Sequence, residues 1–288
     1  MQIGFVGVGA MGAAMAGHAA GKGFSVLVYD NDAKALDKAA VFPIKAASGL
    51  QELAESCEVI IVMVASDAQS EAVVQTLLAS GKPPGSVIVV AATNHPKTMI
   101  GLAQACREKN VGLVDAPVCY GRKGAEDGNL VSLCGGTVED VEKVRPVLMT
   151  YSRSVEHLGD IGCGQLGKAC NNMMHWAACV ANYEVLALAR SCGINAQTMR
   201  ETLLKCPARN TTLERWDTTR FTWHEKDMDL ALDVSQSAGL ALPLFGMVDQ
   251  LVKRLGPDRV HALLYGEEAE YLGQPITARS LSDVTENS

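Results

Sequence analysis

A short apolar run, Ile3-Gly4-Phe5-Val6, passes without a gap into Gly7-Val8-Gly9-Ala10-Met11-Gly12, and a helix-forming stretch at 13–22 follows at once. Strand, glycine triplet and helix in that order leave few folds open. The first glycine permits a tight turn, the second lets a pyrophosphate approach the backbone, and the third lets helix and strand pack closely. The free N–H groups and the dipole at the helix N-terminus then favour phosphate. In a chain with 27 glycines the pattern alone is weak. Its placement between a strand and a helix gives it meaning. Gly7, Gly9, Ala10, Met11 and Gly12 are therefore expected to cradle a dinucleotide.

The next strand reads Phe24-Ser25-Val26-Leu27-Val28-Tyr29 and ends on Asp30, 23 positions after Gly7. A carboxylate there accepts hydrogen bonds from free ribose hydroxyls and repels a 2′-phosphate. Asn31 and Asp32 supply no arginine to neutralise such a phosphate, and Lys34 falls on the opening turn of the following helix. NAD is favoured over NADP. The alternative is that Asp30 simply caps the helix beginning near Ala33.

Further strands are expected at 59–64, 87–91 and 112–118, with shorter ones at 130–134 and 155–158. Helices fall between them at 50–56, 68–80, 97–108 and 138–149. Alternation of this kind means a mostly parallel sheet covered on both faces. From Gly164 to Cys192 no proline intervenes, and only Gly167 interrupts a run rich in alanine, leucine and methionine. As one helix it would span roughly 43 Å at about 1.5 Å per residue. The remainder shows helical periodicity and no convincing strand. The expectation is an α/β fold with a Rossmann-type nucleotide-binding domain at 1–161, a connecting helix at 162–192 and an all-α C-terminal domain at 193–288.

Composition narrows the function. A net charge of −7 and the lack of any Lys/Arg-rich run argue against nucleic acid. Nine cysteines, scattered singly with no C-x-x-C or zinc spacing, suit a reduced cytoplasmic chain with no metal better than a disulfide framework. No apolar run approaches membrane-spanning length. Met1 leads directly into the first strand, which leaves no room for a signal peptide. Residues 282–288 read as a loose tail. A helical half rich in Leu, Met and Trp is expected to pair with itself as a homodimer or homotetramer.

On the long helix, Lys168, Asn171 and Asn172 occupy neighbouring positions of one face, and His175 falls on nearly the same stripe. An arbitrary lysine is usually a solvated group. This one sits in a polar cluster on an otherwise apolar helix, beside Met173, Met174 and Trp176. A lysine partly withdrawn from water is suited to trading a proton with a substrate hydroxyl. Asn172 is placed to hold the same oxygen or orient the ammonium.

These motifs together resemble the β-hydroxyacid dehydrogenase family, which includes 3-hydroxyisobutyrate dehydrogenase and tartronate semialdehyde reductase. The resemblance runs through Gly7 to Gly12, then Asp115-Ala116-Pro117-Val118 with Gly124-Ala125 and Gly128-Asn129-Leu130. It continues through Gly162-Cys163-Gly164 with Lys168, Asn171 and Asn172, and ends on Lys226-Asp227 before Leu230-Ala231-Leu232. It implies hydride transfer between NAD(P) and a small 3-hydroxy acid, with Lys168 as general acid/base and Met63, Thr93 and Lys226 beside the nicotinamide. Lys226 and Asp227 also have a plainer reading, a helix-surface ion pair worth little. Imine or ketone reduction and a non-catalytic NAD-binding scaffold are the alternatives on the same architecture. Relatives of the imine-reducing and scaffold kinds generally lack the lysine, so Lys168 counts against both.

The chain departs from the family pattern in three places. Where Ser-Gly-Gly usually follows Asp-Ala-Pro-Val, it has Cys119-Tyr120-Gly121 and then Arg122. A thiol is a poor donor, and tyrosine at 120 is expected to lose the close backbone approach glycine allows. Tyr120 brings a phenol and Arg122 a forked cation suited to an anionic substrate. The alternative is that Arg122 faces solvent and Tyr120 only narrows the pocket. The segment 204–226 is compact and carries Trp216, Phe221, Trp223 and His224, expected as core or interface. Ala92-Thr93-Asn94 replaces the usual Ser-Thr pair while keeping Thr93.

Overall fold

The computed structural model describes residues 1–281, so the expected tail at 282–288 lies outside the described residues. The chain divides into two compact units, Met1–Lys168 and a second beginning at Ala169. The first unit opens with β1 (Gln2–Val6), α1 (Gly12–Gly21), β2 (Ser25–Tyr29), α2 (Ala33–Ala39), β3 (Lys45–Ala46) and α3 (Leu50–Ser56). It continues with β4 (Val59–Val62), α4 (Asp67–Ala79), β5 (Val87–Val90), α5 (Pro96–Glu108) and β6 (Gly112–Asp115). Then come β7 (Val118–Cys119), α6 (Gly121–Glu126), β8 (Leu130–Gly135), α7 (Val138–Leu148) and β9 (Ser152–Gly159). The helix α8 (Cys163–Ser191) runs through the boundary between the units.

The strands pair in the order β3-β2-β1-β4-β5-β6, all parallel. This is the doubly wound order, whose ligand crevice lies at the carboxyl ends of the strands, where the order reverses beside β1. Beyond β6 the strand direction changes: β8 pairs antiparallel with β6 and β7, and parallel with β9. Side-chain alternation explains why β4 and β5 read as unbroken apolar runs. Val59, Ile61, Val87 and Val89 enter one core cluster and Ile60, Val62, Ile88 and Val90 the other, so both faces are dry. Register aligns Val6, Val62, Val90 and Asp115 as one row at the strand ends. The segments that follow therefore leave the sheet along a single edge.

The expected strand at 112–118 is two strands, β6 and β7, because Ala116 and Pro117 turn the chain between them. Gly162, at φ +93, and Gly193, at φ +81, bracket α8. At its end the Ile194 N–H reaches Ala189 O at 2.9 Å, the six-to-one bond of a glycine C-cap. The helix is displaced by one residue from the expected 164–192.

The second unit packs α9 (Ala196–Leu203), α10 (Thr211–Glu214), α11 (His224–Ser237), α12 (Pro243–Val252) and α13 (Pro257–Tyr265) around the later turns of α8. Its core gathers Trp176, Tyr183, Leu186, Trp216, Met228, Val252 and Leu263. No strand was expected here, yet β10 (Glu270–Tyr271) and β11 (Gln274–Pro275) form a small antiparallel hairpin in an otherwise helical unit. Leu272 and Gly273 both have positive φ, the two-residue turn that suits a hairpin. Strands of two residues are too short for alternation to show. Among the described residues no helix is long and apolar enough to cross a membrane.

Arg190 joins the end of α8 to the end of α13. Its guanidinium donates to the carbonyls of Ala262, Leu263 and Gly266, each at 2.9 Å, and of Glu267 at 2.6 Å. A cation is favoured where carbonyls point outward at a helix C-terminus. Arg190→Met is expected to lower unfolding stability by about 3 kcal/mol through loss of charge-assisted bonds, read as a fall in the urea midpoint at unchanged slope.

Candidate active site

The glycine turn is built by backbone contact. Gly7 adopts φ +87, and a Cβ there would lie 2.3 Å from the Met63 carbonyl oxygen. A Cβ on Gly12 would lie 2.0 Å from Gly7 O. Gly9 is exposed with open space around its Cβ position, and Met11 offers no side-chain cap to α1. The N-terminus of α1 thus keeps free donors beside an unobstructed backbone, the arrangement that fits a pyrophosphate.

Asp30 is half-buried at the end of β2. Its Oδ2 accepts the Val8 N–H at 2.8 Å and its Oδ1 the Asp32 N–H at 2.9 Å. The helix cap is Asp32, which accepts the Lys34 N–H. The capping alternative for Asp30 is therefore set aside, and its carboxylate instead ties the glycine turn to the second strand. That places a fixed negative charge beside the turn, which fits NAD and opposes a 2′-phosphate.

The start of α8 rests on one carboxylate. Asp115 is fully buried at the end of β6. Its Oδ1 accepts the Gly162 N–H and its Oδ2 the Gln165 N–H, both at 2.7 Å. These are helix-terminal donors with no intrahelical partner, and the helix dipole adds to the attraction. Gly164 permits the close seat, since a Cβ there would meet Leu133 O at 2.3 Å. Burial pushes the Asp115 pKa up to about 6, opposed by the backbone N–H groups it accepts.

Gln165 carries this anchorage to the neighbouring loop. Its Oε1 accepts the Asn94 N–H at 2.9 Å and its Nε2 donates to Ala92 O at 2.8 Å. Thr93 lies between the two. On the far side, Asp67 Oδ2 accepts the His95 N–H at 2.7 Å and the Thr98 hydroxyl at 2.9 Å. Met63 follows β4 beside Gly7 and is half-buried. The structure therefore brings Gly7 to Gly12, Asp30, Met63 and Thr93 to one edge of the sheet in the first unit. Lys168 is half-buried, one turn along α8 from Gln165.

The loop at 119–122 differs from its sequence reading. Cys119 is buried on β7. Tyr120 takes the left-handed backbone at φ 86 that glycine usually fills, a conformation costing a non-glycine residue about 1–3 kcal/mol. Its side chain packs against the core, and a Cβ on Gly124 would lie 2.6 Å from Tyr120 Cβ. Arg153 lies over the ring at 4.3 Å and donates to its hydroxyl at 2.5 Å. A left-handed backbone is therefore kept at 120 although the residue is not glycine, because packing and a cation–π contact offset the strain. Gly121 is exposed at φ +57. Arg122 faces solvent on α6, its Nε 2.7 Å from Glu126 Oε1; the solvent-facing alternative is the one observed.

In the second unit, Asn171 is exposed and its Nδ2 donates to Oδ1 of buried Asn172 at 3.0 Å. His175 Nδ1 lies 2.9 Å from Thr212 Oγ1, and its ring is tilted against that of Trp176 with centroids 4.6 Å apart. Lys226 is half-buried on α11. Asp227 Oδ2 accepts the Trp176 Nε1–H at 3.0 Å, a bond that the surface-pair reading did not include. Trp216 is buried and meets Phe221 edge to face, while Trp223 is exposed. Among the described residues no cluster of His, Cys, Asp or Glu is arranged to hold a metal.

Sequence reasoning missed Gln165 and Arg153. Gln165 directly follows Gly162-Cys163-Gly164, but a neutral amide carries no chemical signal. Arg153 is 33 positions from Tyr120, and nothing local links them.

Comparison with known proteins follows this geometry. Residues 2–159 match the family model for the NAD-binding domain of 6-phosphogluconate dehydrogenase. Residues 162–262 match that for the NAD-binding region of NADP-dependent 3-hydroxyisobutyrate dehydrogenase. A 3-hydroxyisobutyrate dehydrogenase of Pseudomonas aeruginosa is 32% identical over 221 residues, covering 75% of this chain and 73% of the relative. An NAD-dependent L-serine dehydrogenase of the same organism is 30% identical over 215 residues, covering 74% and 72%. The solved structure of Mycobacterium tuberculosis 3-hydroxyisobutyrate dehydrogenase with L-serine superposes at a TM-score of 0.80 and 24% identity, covering 88% of this chain and 92% of that one. Imine reductases share the fold more distantly.

The raised pKa of Asp115 gives a signed prediction. A folded-state value near 6 against about 3.9 unfolded means its contribution is full below the unfolded value and is lost as pH rises through the folded one. Asp115→Asn is expected to destabilise the protein, because the two backbone donors meet different carboxylate oxygens and the NH2 group that replaces one of them cannot accept. That deficit should narrow by about 2 kcal/mol between about pH 4.5 and about pH 7. Urea titrations across that range check it; a deficit that widens with pH has the wrong sign.

Proposed function

This chain belongs to the β-hydroxyacid dehydrogenase family, and from that premise we propose that it oxidises a small 3-hydroxy acid reversibly to the semialdehyde or ketone, with Lys168 as general acid/base. It is an NAD-dependent oxidoreductase acting on CH–OH groups. The observation that carries the proposal is the half-buried Lys168, one turn from a helix start pinned to the cofactor edge of the sheet.

NAD, when bound, supplies the ring that accepts a hydride from the substrate carbinol carbon. Gly7, Gly9, Ala10, Met11 and Gly12 would hold its pyrophosphate, Asp30 its adenosine ribose, and Met63, Thr93 and Lys226 its nicotinamide side. The chain's own chemistry is proton transfer. Lys168, as the amine, takes the hydroxyl proton while the C–H bonding pair departs, leaving a carbonyl; in reduction it returns the proton. Asn172 orients the ammonium or the same oxygen, with Asn171 holding the amide of Asn172 in place. The substrate's acid group is assigned to the 119–122 loop, where Tyr120 keeps the left-handed backbone and Gly121 stays uncovered. Arg122 and His175 are given no direct contact, since Glu126 and Thr212 engage them.

The partner is a small molecule, and the working compartment is proposed to be the cytoplasm. A second copy of the chain is the further partner. Met174, Val185 and Leu188 are exposed along one side of α8, at 68%, 47% and 65%. An apolar stripe of this kind on a long helix favours self-association.

Two outcomes test these readings. Lys168→Ala should lose at least ~10³-fold in kcat on 3-hydroxy acids while binding NADH within threefold of the parent; retained turnover sinks the acid/base assignment. Sedimentation at micromolar concentration should give a dimer or tetramer, and Met174→Glu with Leu188→Glu should reduce it to the monomer mass.

A further inference from the structure

We infer that Gln165 is a positioning residue that sets the Thr93 segment against Lys168, so that one buried amide fixes the spacing between the cofactor's nicotinamide side and the proton-transfer group. The inference rests on the reading of Thr93 and Lys168 given above and adds a residue that touches neither substrate nor cofactor.

The geometry is specific. Gln165 has no exposed surface. Its side chain uses one acceptor and one donor on the same stretch of backbone, taking the Asn94 N–H at 2.9 Å and giving to Ala92 O at 2.8 Å. Those two groups flank Thr93, so the amide lies along the loop as a neighbouring strand would. Its own N–H is held at 2.7 Å by Asp115, which pins the donor side to the sheet. Lys168 is three residues further on, about 4.5 Å along the helix axis and on an adjoining position of the surface. Asp67 holds His95 and Thr98 from the other direction. Thr93 therefore cannot shift relative to Lys168 unless a buried hydrogen bond is broken.

At neutral pH an uncharged amide of this length satisfies both partners. Methionine fills the space and offers neither group. Glutamate keeps an acceptor for Asn94 but turns an oxygen towards Ala92 O, until protonation restores a donor. Misplacement of about 1 Å at a reacting centre costs on the order of 100-fold in rate, so the amide's influence should show in turnover more than in substrate affinity.

The test uses the full chain and two ligands, NADH and ADP-ribose, the second lacking nicotinamide. In Gln165→Met, ADP-ribose affinity should stay within twofold of the parent, while the advantage of NADH over ADP-ribose falls at least tenfold. In Gln165→Glu the advantage should also fall at neutral pH and recover near pH 5.5 towards that of the parent at the same pH, a comparison that cancels the protonation of Asp115. With a turned-over hydroxy acid, kcat should drop about 100-fold with KM changed less than threefold. An unchanged NADH advantage in either folded variant overturns the inference. So does an equal loss for both ligands without pH recovery in Gln165→Glu, which would make the residue a packing element only. Because the ligand comparison needs no substrate, it stands apart from the Lys168→Ala result. Activity surviving in Lys168→Ala would remove the proton-transfer reading, whereas the affinity ratio alone decides whether Gln165 governs the nicotinamide side.

Discussion

The N–H groups of Gly162 and Gln165 converge on the carboxylate of Asp115, and through it the first turn of a 29-residue helix is pinned to the end of the central sheet. Everything proposed for Lys168 depends on that seat. A helix start exposes donors that must find acceptors, and a carboxylate with no exposure meets them at the cost of its own desolvation. The raised pKa of Asp115 is the mark of that cost. The close approach of α8 to the strand ends in turn demands glycine at 164, where a side chain would strike Leu133 O.

From this seat the arrangement spreads by backbone contacts more than by charged pairs. Gln165 grips the backbone on either side of Thr93, Asp67 holds the next residues, and Asp30 holds Val8. Each is a polar side chain bonded to main chain across a gap between elements. The ion pairs Arg122–Glu126 and Lys123–Asp127 lie on the surface of α6, where screening leaves them little weight. Burial decides which polar groups shape the site.

Much of the first unit was legible because its determinants are local. The apolar runs at β1, β4 and β5, the glycine turn and the proline-free stretch of α8 all announce themselves within a few residues. The strand break at Ala116-Pro117 and the β10–β11 hairpin were lost because two-residue strands hold no period. Site residues divide on the same line. Gly7 to Gly12 and Asp30 carry their chemistry in their spacing, whereas Arg122 and His175 lie beside Glu126 and Thr212, neighbours that no motif announces. Tyr120 is the clearest case. Its residue type gives no hint of a left-handed backbone, and Arg153, a contact made only in three dimensions, helps to hold it there.

The aligned row Val6, Val62, Val90 and Asp115 has a consequence for how such a protein can diversify. Parallel ladders hold neighbouring strands about 4.8 Å apart, so the points where the glycine turn, Met63 and Thr93 leave the sheet are spaced like teeth on a comb. No loop substitution can retune that spacing. The sheet escapes the comb only beyond β6, where it turns antiparallel and the chain doubles back through β7 and α6. Freedom of spacing is thereby confined to one corner: the edge that carries Gly7, Met63 and Thr93 is set as a unit, and residues 119–122, which we propose face the substrate, lie outside it.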